Sequence, residues 1–84
     1  MSDWFILIFR NTHEVIKADA FLERENIKRE VIPTPKFISS ECGLCIKVWK
    51  DISDVVKILK EGGVVPLKIA DSSFKEIWKA EGKT

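Results

Sequence analysis

An unbroken apolar run, Trp4-Phe5-Ile6-Leu7-Ile8-Phe9, stands near the start of the chain and ends at Arg10-Asn11-Thr12. A helix needs about twice that length, so the run predicts a strand over 4–9 that is buried on both faces. Asn11 or Thr12 then supplies a helix cap, with Glu14 placed for a capping box on Asn11. Val15, Ala18, Phe21 and Leu22 recur at helical spacing, which predicts a helix running to about Glu25. Asn26 follows where a helix commonly closes in the left-handed conformation, which Asn tolerates better than most residues.

A second strand is predicted over 27–32. Pro33 ends it, and because proline cannot donate to a ladder, that strand belongs at a sheet edge. Residues 34–41 show little periodicity and form a long connection for so small a domain, and such loops often carry function. Leu44, Ile46 and Val48 alternate with Cys45, Lys47 and Trp49, the period of a half-buried strand over 44–49. Ser53 is read as the N-cap of a helix over 54–61, with Val55, Ile58 and Leu59 as its apolar face and Gly62-Gly63 as its stop. A fourth strand is predicted over 64–69, and 71–84 as a C-terminal extension or short helix with Phe74, Ile77 and Trp78 on one side.

The order β-α-β-β-α-β predicts an α+β fold: a ferredoxin-like two-layer sandwich, one four-stranded antiparallel sheet with both helices on one face. Strands one and three are then central, and strand two lies at an edge, as Pro33 requires. The 84 residues make a single domain, 1–84, without room for a separate substrate domain.

Composition narrows the function. With a formal charge of +1 and scattered basic residues, the chain lacks the electrostatic footprint of a nucleic-acid or anionic-lipid binder. The apolar run is too short to span a membrane and follows Asp3 rather than a basic region, so the expected location is the cytoplasm. Thiols stay reduced there, which makes Cys42 and Cys45 reactive groups or ligands sooner than a structural staple.

The predicted topology puts the loop after strand two at the same end of the sheet as the turn from strand one into helix one. Cys42 thereby approaches Arg10 and the helix N-terminus, whose unpaired N–H groups and cation favour a thiolate. Gly43 leaves the backbone beside it open and permits unusual dihedrals. The alternative is that Cys42 is a small buried residue, as cysteines often are. His13 in the first helical turn is a candidate proton donor or merely solvated, and Lys36 pairs with an anionic sulfur species or faces water. Ser39 and Ser40 either position the loop and bind an anion or serve as ordinary turn residues.

Cys45 completes a C-x-x-C, but one such pair is half of a tetrahedral zinc site, and no metal site or other cofactor is expected. Its alternative is a small residue on the open face of the sheet. Trp4, Trp49 and Trp78 are many for this length. An exposed aromatic face would imply a partner, either a second copy of the chain or cover from the segment around Phe74 and Trp78.

The run Ile32-Pro33-Thr34-Pro35-Lys36, followed by Ile38-Ser39-Ser40-Glu41-Cys42-Gly43-Leu44, resembles the signature of the selenium/sulfur carrier-like family of small bacterial and archaeal proteins. Thr12-His13-Glu14, Ala18 and Leu22 are similar to that family's first helix. The resemblance implies that Cys42 is the family's characteristic cysteine, holding sulfur or selenium as a persulfide or perselenide, with Pro33, Pro35, Lys36, Ser39, Ser40, Gly43, Arg10 and His13 as its surroundings. Donor and acceptor proteins for the chalcogen are then the implied partners. Cys45 departs from the family pattern, as does Asn26 where glycine is common. A dithiol redox or zinc module using both cysteines, and a non-catalytic interaction domain, stay open as alternatives. A stand-alone enzyme is the least supported reading, since there is one histidine, no catalytic carboxylate pair and no phosphate-binding glycine loop.

Overall fold

In the computed structural model of the chain, residues 4–36 and 43–79 are described, and they form two helices and a five-stranded antiparallel sheet. The apolar run becomes β1 (Phe5–Ile8), and α1 (Thr12–Arg24) follows it. Asn11 caps α1: its extended backbone turns the chain, and its side-chain Oδ1 accepts from the Glu14 N–H at 2.9 Å. Asn26 closes the helix at φ 57°, the left-handed conformation expected of it.

β2 (Arg29–Pro33) pairs with β3 (Leu44–Val48), which pairs with β1, and β1 pairs in turn with β4 (Lys68–Asp71). β2 therefore lies at an edge and β1 and β3 lie inside, as Pro33 and the apolar runs foretold. Arg29 ties β2 to α1, its Nε 2.7 Å from the Asp19 carboxylate.

Side-chain alternation divides the core in two. Leu7, Ile46, Val48 and Ile69 meet Val15, Ala18 and Leu22 of α1 and Val55 and Leu59 of α2 (Ile52–Glu61), so both helices cover one face. On the other face Ile6, Ile8 and Cys45 form a smaller buried cluster with Trp4 and Ile32 against it.

Three expectations are corrected. The N-cap of α2 is Asp51 rather than Ser53: its Oδ1 accepts from the Ser53 N–H at 3.0 Å, so the helix begins two residues before 54. We expect Asp51→Ala to cost about 1 kcal/mol in chemical denaturation and Ser53→Ala a few tenths at most; equal losses would show that the cap is misplaced.

β4 begins later than the predicted 64. Val64 is tied back to the helix end, its N–H donating to the Leu59 carbonyl at 2.9 Å after Gly63 at φ 81°. Pro66 has no N–H to give. The link to β1 starts only at Leu67, whose N–H donates to the Ile8 carbonyl.

The third correction is β5 (Glu76–Lys79), a fifth strand on the far side of β4 where a four-stranded sheet and a short helix were expected. Asp71 makes the turn. Its carboxylate accepts from the N–H groups of Ser73 at 2.8 Å and Lys75 at 3.1 Å, while its backbone N–H donates to the Lys75 carbonyl. Phe74 completes the reversal at φ 64°.

Candidate functional site: the loop between β2 and β3

The sheet registers gather most of the candidate residues at one end. Ile8 lies opposite Cys45, and Cys45 opposite Ile32, so the end of β1, the end of β2 and the start of β3 coincide. Arg10 and His13, both exposed, stand where β1 passes into α1. Pro33 pairs with Leu44, and one step beyond, the Thr34 N–H donates to the Gly43 carbonyl at 3.0 Å. The loop after β2 is thus pinned at both ends by the ladder.

Cys42, Ser39 and Ser40 lie outside the described residues, within 37–42. Of the remaining loop candidates, Lys36 is exposed, Pro35 is half-buried and Gly43 is exposed. A Cβ built at Gly43 would meet nothing within 4 Å among the described residues. Packing against them does not demand glycine at this point; its effect is to leave open space beside the loop end.

Thr34 is the residue that motif reading passed over. Its Oγ1 is sealed from solvent and has no hydrogen-bond partner among the described residues, although its own N–H is bonded to Gly43. Burying a hydroxyl without a partner costs roughly 1–3 kcal/mol. The sequence carries no signal for this, because threonine hydroxyls in loops usually face water.

Cys45 points to the opposite sheet face from Leu44 and Ile46. It is completely buried among Ile6, Ile8 and Ile32, with its Sγ making a long contact to the Pro33 carbonyl at 4.0 Å. No cluster of His, Cys, Asp or Glu able to hold a metal occurs among the described residues. Nor is any helix there long and apolar enough to cross a membrane.

The family described as "Putative Se/S carrier protein-like" matches residues 5–71, from the first residue of β1 to the last of β4. The chain belongs to this family. No curated protein and no solved structure matches it. The Se/S carrier-like match takes in both helices, the β2–β3 loop and the four inner and edge strands, and it stops before the β5 hairpin. In this member of the Se/S carrier-like family, β5 is therefore an addition to the matched region.

Proposed function

We propose that this chain is a sulfur or selenium carrier that holds the chalcogen on Cys42 and hands it to a partner protein. The observation that carries the reading is the anchoring of the β2–β3 loop. The Thr34–Gly43 hydrogen bond fixes the residue bonded to Cys42 at the sheet end that also bears Arg10 and the start of α1. Cations and helix-terminal N–H groups at such an end favour a thiolate over a thiol. Thr34 adds a buried hydroxyl that finds no acceptor among the described residues, a feature consistent with a site that receives an anionic sulfur species. The strand order β2-β3-β1-β4 supports a ferredoxin-like core, with β5 as an added edge.

The transfer follows ordinary thiol exchange. The Cys42 thiolate attacks the outer sulfur of a donor enzyme's persulfide, a new S–S bond forms on Cys42, and the donor's S–S bond breaks with its electron pair leaving on the donor thiolate. An acceptor nucleophile then takes the outer atom from Cys42. Full burial of Cys45 supports a single-thiol form of this chemistry.

Incubation with a cysteine desulfurase and cysteine tests the reading. Mass spectrometry is expected to show about 32 Da added per sulfur on the peptide containing Cys42, and none on Cys42→Ser. The same thiol should alkylate with a pH midpoint below the value of about 8.5 for an unperturbed cysteine. A wild-type protein left unmodified under conditions that load a known carrier would sink the proposal.

A further inference from the structure

The helix-free face of the sheet carries a second feature, at the end remote from the β2–β3 loop. Lys47 sits between two indoles, its Nζ 4.4 Å from the Trp4 ring centre and 5.1 Å from that of Trp49. Lys28 reaches Trp49 as well, at 5.0 Å. Phe74 extends the row, meeting Trp4 edge-on at 5.8 Å. Cation and ring thus alternate from Lys28, just before β2, to Trp4, and Phe74 in the β4–β5 turn adds a second ring at that end.

Two observations favour a binding role for this row over packing alone. Neither lysine takes part in an ion pair among the described residues, where the pairs join Arg29 to Asp19 and Glu23, and Lys50 to Asp54. Glu30 lies directly opposite Lys47 in the ladder, yet the ammonium stays with the indoles. Phe74 is 41% exposed at φ 64°, a conformation that favours glycine and strains a bulky side chain. An exposed aromatic is being held out where a smaller residue would fit the turn better.

We propose that this face docks an acidic, partly apolar peptide segment of a partner protein. Charge complementarity selects that occupant. Carboxylates meet the exposed Lys28 ammonium first and the half-buried Lys47 at the indole rim, while apolar side chains pack on Phe74 and the Trp4 edge. A single-stranded nucleic acid fits less well, because the lysines already occupy the indole faces on which bases would stack. A second copy of the chain would bring one lysine row against another. The surface does not depend on the sulfur reading, and it lies at the end of the sheet away from Thr34 and Gly43, which bound the loop that carries Cys42.

The test uses the full chain and a short fluorescein-labelled peptide of alternating glutamate and leucine, followed by fluorescence anisotropy. Saturable micromolar binding is expected, weakening with added salt and falling about tenfold in the Lys28→Gln/Lys47→Gln double variant. Phe74→Gly should also weaken it, and glycine's tolerance of positive φ keeps the turn intact. Cys42→Ser should bind as wild type does, which separates this result from the fate of the carrier reading. Absence of saturable binding, or equal binding by the double variant, overturns the proposal. Tighter binding of oligodeoxythymidine would reassign the face to nucleic acid. Self-association abolished by Phe74→Gly without peptide binding would reassign it to a dimer interface.

Discussion

Leu7→Ala is expected to lower the stability of this protein by about 3 kcal/mol, the middle of the range for buried leucines. Leu7 is completely buried in the central strand, opposite Ile46 on one side and Ile69 on the other. Helix residues Val15, Ala18, Leu22, Val55 and Leu59 belong to the same cluster. A backbone flanked on both sides by ladder bonds cannot collapse into the vacated space, so the cavity term adds to the lost transfer energy. For a domain of 84 residues, total stability is on the order of 4–13 kcal/mol, so this single truncation removes a large share of it. Thermal unfolding followed by circular dichroism should show a midpoint about 10–25 °C lower. Ile16→Ala makes the contrast, since Ile16 is 64% exposed on α1 and should change stability by about 0.5 kcal/mol or less. Similar shifts for the two variants would contradict the placement of the core.

Features with a strong local cause were legible in the sequence. A six-residue apolar run between polar stretches is too short for a helix of ordinary length and favours a buried strand, which forms over Phe5–Ile8, and Asn11, Asn26 and Pro33 each act through their own backbone chemistry. The β5 hairpin was not legible, for a physical reason. Phe74, Ile77 and Trp78 have the spacing of one helical face, but Trp78 packs into the helix-side core while Phe74 meets Trp4. What decides the matter is Asp71, whose carboxylate gathers two backbone N–H groups into a turn. No glycine marks the turn, because Phe74 occupies the left-handed position itself. The late start of β4 was hidden likewise: Val64 and Pro66 are buried without being in a strand, so their hydrophobicity read as β.

The same division holds for the functional surfaces. Arg10, His13, Pro33 and Gly43 could be placed together from topology alone, since antiparallel pairing of strands one and three fixes which ends meet. Lys47 and Trp49 were also visibly on one face, two residues apart. That Trp4 and Lys28 complete their row required the registers, which join residues far apart in the chain. Thr34 required more still, because the sealing of one hydroxyl depends on every atom around it.

Cys45 offers the sharpest separation of the two thiols. Its side chain packs among Ile6, Ile8 and Ile32, so exchanging sulfur for a hydroxyl places a strong polar group in a largely apolar cluster, with the Pro33 carbonyl 4.0 Å from the sulfur position. Cys45→Ser is therefore expected to cost about 1–3 kcal/mol, and Cys45→Ala less than that, because alanine leaves only a small void. Calorimetry or urea unfolding reads the difference. In the native protein Cys45 should resist alkylation until the chain is unfolded, and Cys45→Ala should load sulfur on Cys42 as fully as wild type does. A resolving thiol behaves otherwise. It must meet its partner sulfur at bonding distance, and from a fully buried strand position that demands local opening of the sheet next to β1, the middle strand of the five. Rapid native-state alkylation of Cys45, or mild oxidation that consumes both thiols while the protein stays folded, would overturn the single-thiol form and favour the dithiol module in its place.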